Sequence, residues 1–229
     1  MTSFVYDISK LLSWLFLRIG FGLEVEGQEH VPAQGGCVIA SNHVSYLDPL
    51  VVGVAAPRRL AFMARHTLFT KPLLGTWLRA VGAIPVRREE ADLSAIRAAV
   101  HTLRAGTPMA MFPEGTRQED GRLSTAKRGV GLLAVTAGVP IVPVYLQGTF
   151  DAMPRGGGLY RAKIRVAFGP PVTYTSGPVP SGSAPGTTPA PGKPVEPASR
   201  LQHQQLADAV TREWRQLAER LEAKNAHGR

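Results

Sequence analysis

The sequence predicts an α/β domain in which a mostly parallel sheet is flanked by helices. Short apolar runs of strand length recur from residue 23 to residue 169, and segments with helical periodicity lie between them. The chain has 229 residues, of which 44% are hydrophobic. A chain of this length and composition can bury one substantial core.

The first predicted element is a helix over residues 4–23, in a segment that we assign to residues 1–24. The segment is hydrophobic but contains Asp7, Lys10 and Arg18, and charges near the centre of a membrane-spanning helix are costly. No small-residue cleavage site follows the apolar part, which argues against a secretory signal peptide. We therefore predict a membrane-associating helix at the bilayer interface. A helix packed on the protein's own core is the alternative, and a spanning helix is least favoured.

Residues 25–174 are predicted to form the main domain, with strands and helices in alternation. The predicted strands cover 23–27, 37–41, 60–64, 83–87, 108–112, 140–146 and 163–169. The predicted helices cover 48–56, 71–81, 89–105 and 126–137. The helix over 89–105 has the clearest pattern, because its apolar residues fall on one face and Gly106 ends it; these residues are Leu93, Ile96, Ala99, Val100 and Leu103.

The composition changes abruptly after the last predicted strand. Residues 175–200 are rich in Pro, Gly, Ser and Thr, and such a segment buries too little apolar surface to offset its ordering entropy. We predict a flexible insert there. Helical periodicity returns over residues 201–226 in an amphipathic helix that we expect to dock on the domain. Its apolar stripe consists of Leu206, Val210, Trp214, Leu217 and Leu221.

The net charge of +9 and the pI near 10.2 predict attraction to polyanions, which include anionic membranes, phosphorylated substrates and nucleic acid. No nucleic-acid-binding motif is present, so we predict no nucleic-acid partner. The single cysteine, Cys37, excludes an internal disulfide and fits a reducing compartment. The six histidines show no paired metal-ligand spacing, and we predict no metal site.

A first group of polar residues follows the predicted strand 37–41. His43 precedes Asp48 by five positions, and a carboxylate at this distance can orient one imidazole nitrogen while the other accepts a proton. Two structural interpretations stay open. Asp48 precedes Pro49 and could cap a helix, and His43 could be a structural histidine. No Gly-x-Ser-x-Gly sequence supplies a serine nucleophile.

A second group, Phe112–Arg117, follows the predicted strand 108–112. Glu114, Gly115, Thr116 and Arg117 place a carboxylate, a glycine, a hydroxyl and a guanidinium in succession. Arginine suits bidentate phosphate recognition, and backbone N–H groups near a glycine can complete an anion site. The alternative is a tight turn with a local Glu114–Arg117 ion pair.

Between these groups, residues 58–88 contain seven basic residues and no acidic ones. A solvated basic face is the usual meaning of such a run. Arg65 and Arg88, however, each follow a predicted strand, so both could reach the end of the sheet that carries His43. The remaining basic residues are Arg58, Arg59, Lys71, Arg79 and Arg87.

Taken together, four segments in order resemble the PlsC-like family of 1-acyl-glycerol-3-phosphate acyltransferases and related glycerolipid acyltransferases. These segments are NHVSYLDP (42–49), GAIPVRR (82–88), FPEGTR (112–117) and VPIVPV (139–144), within residues 35–150. The resemblance implies an α/β acyltransferase fold with an N-terminal membrane-associating helical element. It also implies transfer of a fatty acyl group from acyl-CoA or acyl carrier protein to 1-acyl-glycerol-3-phosphate, which gives phosphatidic acid.

The resemblance further implies roles for individual residues. His43 would be the general base and Asp48 would orient it, while Glu114, Gly115, Thr116 and Arg117 would bind the glycerol-phosphate part of the acceptor. Arg88 matches the arginine of the GAIPVRR segment, and Arg65 stands where many members carry lysine. The family often continues FPEGTR with Ser-Arg, whereas Gln118 and Glu119 stand here.

Neither a metal nor a tightly held cofactor is expected, because the acyl thioester is a co-substrate and is already activated. The expected location is the cytoplasmic face of the cell membrane, as a peripheral or monotopic enzyme, with acyl carrier protein as a candidate partner. Three alternatives stay open. They are transfer to another lysophospholipid or lyso-aminolipid, hydrolysis of acyl groups, and lipid binding without turnover.

Overall fold

One seven-stranded sheet organises the computed structural model, which describes residues 3–86, 93–154, 156–174 and 200–227. The strands lie in the order β1-β7-β6-β2-β5-β3-β4. Their bounds are β1 Glu24–Glu26, β2 Val38–Ser41, β3 Ala61–Arg65, β4 Ile84–Val86, β5 Met109–Met111, β6 Ile141–Gln147 and β7 Arg165–Phe168. All seven predicted strands are confirmed, each to within a few residues.

The five strands from β6 to β4 in this order are parallel to their neighbours, which confirms the prediction of a mostly parallel sheet. At the other edge, β7 is antiparallel to β6, and β1 is parallel to β7. The connection between β6 and β7 fits this reversal. A parallel neighbour usually follows a crossover helix, and the described residues of this connection contain one helix of four residues, Thr149–Ala152.

Seven α-helices surround the sheet within the described ranges. Their bounds are α1 Ser3–Phe21, α2 Asp48–Ala55, α3 Pro72–Ala80, α4 Leu93–Arg104, α5 Gly129–Ala137, α6 Thr149–Ala152 and α7 Arg200–His227. Short 3-10 helices cover Gln28–His30 and His66–Leu68. The predicted helices are confirmed, except that residues 89–92 lie outside the described residues, as do residues 175–199 of the predicted insert. α6 was not predicted, because one helical turn carries no periodic pattern.

The central strand β2 shows how the sheet separates two cores. Ile39 packs on one side with Leu17 of α1 and Val51 of α2. Its neighbours Val38 and Ala40 belong to the opposite core, which includes residues of α4, α5 and α7. Successive side chains of a strand point to opposite faces. A strand that is buried on both faces is therefore apolar at consecutive positions, as β2 is.

α7 completes the second core. The five residues of its predicted apolar stripe are all buried, and the Trp214 indole N–H donates a hydrogen bond to the carbonyl oxygen of Ala40 at 3.0 Å. α7 also approaches α5 very closely at Gly131. A Cβ atom at that position would lie 2.3 Å from the carbonyl oxygen of His203, so the contact between these helices requires glycine.

The predicted apolar face of α4 is confirmed in part. Ala99, Val100 and Leu103 are buried, but Leu93 is 61% exposed. Leu93 is the first residue of the helix, and the buried face begins two residues later at Ala95.

α1 has one face on the domain and one face in solvent. Leu17 and Phe21 are buried, the Tyr6 hydroxyl accepts a hydrogen bond from the Leu60 N–H, and the Lys10 ammonium donates to the carbonyl of Ala56. The outward face is apolar, with Phe4, Ile8, Leu11, Leu12, Trp14, Leu15, Phe16 and Ile19 exposed. In the part of the chain that the structure describes, none of the helices combines the length and apolar character needed to cross a bilayer.

Candidate active site

Two loops meet at the carboxyl edge of the parallel strands. β2 ends at Ser41 and leads to His43, and its neighbour β5 ends at Met111 and leads to the segment 112–117. Because the two strands are parallel, both loops leave the sheet at the same edge, where α/β proteins usually place their sites. The two groups of polar residues found in the sequence therefore lie next to each other.

A histidine and an aspartate form the centre of this site. The Nδ1 atom of His43 lies 2.9 Å from Oδ2 of Asp48. Asp48 is completely buried, and the His43 side chain is 14% exposed. Because Nδ1 donates to the carboxylate, Nε2 of the neutral ring is the nitrogen available to accept a proton.

Asp48 fixes the loop as well as the ring. Its Oδ2 atom also accepts hydrogen bonds from the backbone N–H groups of Val44 and Ser45, both at 2.7 Å. Three N–H donors thus stabilise negative charge on one buried oxygen. The carboxylate points back into the 43–48 loop, and it makes no helix-capping hydrogen bond.

Two further side chains attach this loop to other parts of the domain. The Asn42 amide bonds the backbone of Leu146 on β6 through both of its ends, at 2.7 and 3.1 Å. The Ser45 hydroxyl donates to the carbonyl oxygen of Met153 at 2.8 Å. Both side chains are buried, so the loop that carries His43 is tied to the sheet and to the segment after α6.

The carboxylate of Glu114 connects the second loop to the first. It is 2% exposed, and its Oε1 atom accepts a hydrogen bond from the His43 N–H at 3.1 Å. Its other oxygen, Oε2, is buried without a hydrogen-bond partner among the described residues. Burial raises the pKa of Glu114 to about 7, the hydrogen bond from His43 opposes this rise, and the nearby Asp48 carboxylate adds to it.

Two other contacts join the loops. The Gln118 N–H donates to the carbonyl oxygen of His43 at 2.9 Å. The Phe112 ring stacks on the His43 imidazole, with 4.3 Å between the ring centroids and 26° between the planes. The backbone of His43 is therefore bonded on both sides by the 112–118 segment, and its ring is confined between Phe112 and Asp48.

Arg117 is held by an aromatic ring. Its guanidinium carbon lies 3.4 Å from the centroid of the Tyr46 ring, a stacking contact that favours the cation. Tyr46 itself is 61% exposed, so this contact lies at the mouth of the site. Within the described residues no ion pair joins Glu114 to Arg117, because Glu114 bonds the His43 backbone and Arg117 stacks on Tyr46.

Two more residues of the FPEGTR segment face outward. Gly115 and Thr116 are exposed, and Gly115 has a φ of +83°, a left-handed conformation that favours glycine. The turn therefore presents backbone and a hydroxyl group to solvent beside Arg117. Such a turn can bind an anion with N–H, O–H and guanidinium donors.

The cations of the 58–88 segment have different positions. Arg65 ends β3 and is exposed at the same edge as His43; two strand spacings separate β2 from β3, which is about 10 Å. Arg88 lies outside the described residues. Arg58 donates to three carbonyl oxygens, of Pro32, Gly35 and Gly106, and Arg59 pairs with Asp7. These two arginines therefore bind the protein itself.

Tyr46 and Asn42 are two parts of the site to which the sequence analysis assigned no role. Both stand in the NHVSYLDP segment, but their contacts involve residues 71 and 104 positions away. An aromatic residue three positions after His43 was the only signal for Tyr46. The choice of Arg117 as its partner depends on the meeting of the two loops.

The site lies within a region that matches a known family. The model of the family described as Acyltransferase matches residues 22–147, more than half of the chain. A 1-acyl-sn-glycerol-3-phosphate acyltransferase of Bacillus subtilis is 35% identical over 136 residues, which cover 58% of this chain and 67% of that protein. A chloroplastic enzyme of the same name from Brassica napus is 30% identical over 174 residues, 74% of this chain. The chain spans about half the length of this plant relative.

The fold also has a counterpart among solved structures. The 1-acyl-sn-glycerophosphate acyltransferase PlsC of Thermotoga maritima superposes with a TM-score of 0.69 at 25% sequence identity. The superposition covers 93% of this chain and 78% of the Thermotoga protein. The matched family region includes the whole of the His43–Asp48 loop and the 112–118 segment. The chain therefore belongs to the acyltransferase family.

Proposed function

We propose that the chain is a 1-acyl-sn-glycerol-3-phosphate acyltransferase. It would move a fatty acyl group from acyl-CoA or acyl carrier protein to the free hydroxyl of 1-acyl-glycerol-3-phosphate and release phosphatidic acid. The observation that carries the proposal is the 2.9 Å contact between His43 and Asp48 beside the FPEGTR turn. The names of the relatives in bacteria and plants support this acceptor.

His43 is the proposed general base. Its Nδ1 atom is engaged by Asp48, so Nε2 takes the proton of the acceptor hydroxyl as that oxygen attacks the thioester carbonyl carbon. Asp48 keeps the ring in the required tautomer and stabilises the imidazolium that forms. A positioned base of this kind typically accelerates a reaction about 10²–10⁴-fold.

The second half of the reaction returns the proton. A C–O bond forms as the C–S bond breaks, and the departing thiolate takes the proton from the His43 imidazolium. The base is then neutral again. No covalent acyl-enzyme intermediate is needed, because the thioester is already activated and the acceptor alcohol is the nucleophile. The proposed reaction requires no metal or cofactor besides the thioester co-substrate.

The FPEGTR turn is the proposed site for the glycerol-phosphate part of the acceptor. Arg117 would bind the phosphate group, with the Thr116 hydroxyl as a further donor. Gly115 would shape this binding turn, because its own N–H donates to the carbonyl oxygen of Phe112 at 3.1 Å. Arg65 would add positive charge at the same edge, and Arg88, which lies outside the described residues, is proposed as a further phosphate-binding cation from its place in the GAIPVRR segment. Glu114 is buried beside the His43 backbone. It would contribute to acceptor binding indirectly, because it would hold the two loops together.

We also propose that the outward face of α1 binds the cytoplasmic face of a membrane as a peripheral anchor. Eight exposed apolar side chains line this face, and apolar helix faces of this kind insert at the headgroup boundary. On α3, Leu73 is 90% exposed, and the Trp77 indole donates a hydrogen bond to Ser9 of α1. α3 therefore extends the same apolar surface.

The end of α1 lies at the edge of the sheet that carries the site. The Phe21 carbonyl accepts a hydrogen bond from the Ile164 N–H. Arg165, which follows Ile164, lies opposite Gln147 at the carboxyl end of β6 in the antiparallel register of β6 and β7. An acceptor lipid that leaves the membrane along α1 would thus arrive near His43. This position supports a membrane-bound substrate.

Sedimentation with vesicles of phosphatidylglycerol and phosphatidylcholine tests the anchor. We expect the double variant Leu12→Glu, Ile19→Glu to lose most of its vesicle binding, because both residues are more than half exposed on α1. The control variant Leu201→Glu changes an equally exposed leucine on α7 and should bind as the wild type does. Unchanged binding of the double variant would overturn the proposal.

An acceptor panel tests the reaction. Labelled acyl-CoA and acyl carrier protein are supplied with lysophosphatidic acid, lysophosphatidylcholine, lysophosphatidylethanolamine or glycerol 3-phosphate, and the lipid products are separated. We expect phosphatidic acid from lysophosphatidic acid as the main product. A main product from another acceptor would replace the proposed substrate, and free fatty acid in the absence of acceptor would indicate a hydrolase.

A further inference from the structure

The side chain of Lys127 lies on the turn that contains Gly115. A Cβ atom built on Gly115 would be 2.9 Å from the Lys127 Nζ atom and 3.6 Å from its Cδ and Cε atoms. The lysine side chain thus extends over the exposed backbone between Glu114 and Thr116. Lys127 lies outside the four motif segments, ten residues after Arg117 in the sequence.

The backbone of Lys127 is fixed in this place from several directions. Its N–H donates to the carbonyl oxygen of Pro113 at 2.9 Å, and its carbonyl accepts from Val130 at the start of α5. The preceding residue, Ala126, is buried and bonds the buried hydroxyl of Thr211 on α7. These bonds fix the point from which the lysine side chain extends, and from that point it reaches the turn at Gly115.

The charge of Lys127 has no acidic partner in the described part of the chain. No carboxylate oxygen of the described residues lies within 4.0 Å of its ammonium, whereas Lys163 and Lys224 both pair with glutamates. The residue is exposed. An unpaired lysine beside an anion-binding turn is available to a ligand, and lysine binds phosphate as a compact point charge.

The charge of the proposed acceptor calls for a second cation beside Arg117. A phosphate monoester carries about −1.5 to −2 charges near neutral pH, more than the single Arg117 guanidinium neutralises. The sequence after FPEGTR offers Glu119 and Asp120, which are anions. Within the described residues of this turn, Lys127 is the cation that lies against the backbone of Gly115.

We propose that Lys127 binds the phosphate monoester of the acceptor together with Arg117 and selects for acceptors with a terminal phosphate. This assignment rests on the proposed function. Arg117 is fixed by Tyr46 and supplies directional hydrogen bonds, and Lys127 supplies the second charge. Acceptors whose phosphate is a diester carry one negative charge, so they gain less from Lys127 than lysophosphatidic acid does.

Steady-state kinetics of the full chain test this role in three variants. Lys127→Gln removes the charge, Lys127→Arg keeps it, and Arg128→Gln removes the exposed neighbouring charge as a matched control. We expect Lys127→Gln to raise the KM for lysophosphatidic acid roughly 10-fold or more. Its kcat and its KM for acyl-CoA should stay within about twofold of the wild-type values. Lys127→Arg should restore most of the affinity, and Arg128→Gln should behave as the wild type.

Several results would overturn the assignment. An unchanged KM for lysophosphatidic acid in Lys127→Gln would remove Lys127 from the phosphate site, and a rise confined to the KM for acyl-CoA would assign it to the donor. Equal effects in Lys127→Gln and Arg128→Gln would reduce the role to general surface charge. In all three cases wild-type transfer to lysophosphatidic acid would leave the proposed function intact, whereas absence of that transfer in the wild type would overturn both.

Discussion

At the residue scale, one carboxylate oxygen organises the proposed catalytic centre. Oδ2 of Asp48 accepts hydrogen bonds from the His43 ring and from two backbone N–H groups of the same loop. The loop and the imidazole are therefore oriented by the same buried atom. A base that is held in one orientation before substrate arrives loses little entropy during the reaction.

The spacing of His43 and Asp48 permitted their hydrogen bond, because five residues in a loop can bring the two side chains within reach, and the structure contains this bond at 2.9 Å. The spacing alone left a helix cap at Asp48 and a structural role for His43 open. The position of Glu114 could not be predicted in the same way. Its sequence neighbours suggested contact with the acceptor or an ion pair with Arg117, but its carboxylate turns inward to His43. That direction depends on how two loops from different strands pack, which no local pattern records.

The buried Glu114 predicts a pH-dependent stability. Its pKa of about 7 in the folded protein exceeds the ordinary value of 4.5, so the folded state holds the proton more tightly than the unfolded state. The contribution of this group to the free energy of unfolding is therefore fully present below about pH 4.5 and decreases as the pH rises to about 7. A shift of this size corresponds to a loss of about 3 kcal/mol.

Guanidinium unfolding at several pH values checks this prediction. Glu114→Gln keeps an oxygen that can accept from the His43 N–H but cannot ionise. We expect the variant to become more stable relative to the wild type as the pH rises through this range. Glu219→Gln, which changes an exposed carboxylate on α7, should follow the wild-type curve. Parallel curves for wild type and Glu114→Gln would contradict the assignment of this pH dependence to Glu114.

At the element scale, hydrophobic periodicity located each strand and each α-helix of the described residues except α6. Runs such as 140–146 are apolar at consecutive positions because helices cover both faces of the sheet. The strand order and the reversal of β1 and β7 were not predictable, since the pattern of one strand does not identify its neighbours. Which face of α1 packs on the domain and which is exposed could not be predicted either, because the helix is apolar almost all round.

α7 shows how an element far along the chain supports the site. Trp214 is fully buried, and its indole donates to Ala40, three residues before His43. We expect Trp214→Ala to lower the free energy of unfolding by about 3–5 kcal/mol, because it leaves a large cavity and removes a buried hydrogen bond. Chemical denaturation measures this loss.

Trp77→Ala is the matched control for this prediction. Trp77 is 39% exposed on α3, so its replacement removes less buried surface and should cost less than that of the fully buried Trp214. Similar losses in the two variants would show that α7 is not packed behind β2 as described.

At the scale of the whole molecule, the sheet brings the separate motifs to one edge. Parallel strands β2, β5 and β3 end at Ser41, Met111 and Arg65, and the residues after each strand carry the proposed base and cations. The same edge receives the end of α1, whose outer face is apolar. Base, phosphate site and proposed membrane face therefore lie on adjoining parts of one scaffold.

This arrangement explains why the order of motifs in the sequence was informative about function while the composition was not. A net charge of +9 fits many polyanion-binding proteins. Only the few residues at this edge of the sheet lie close enough to act together. Arg58 and Arg59 do not belong to that group, because they bond carbonyl and carboxylate oxygens of the protein itself.

The central claim is that His43 is the base for acyl transfer to lysophosphatidic acid. The most direct test is kcat/KM for this reaction in the wild type, in His43→Ala and in His101→Ala, a control that removes an exposed histidine on α4. We predict a loss of about 10²–10⁴-fold for His43→Ala and wild-type activity for His101→Ala, with both variants folded. Wild-type activity in His43→Ala would contradict the account.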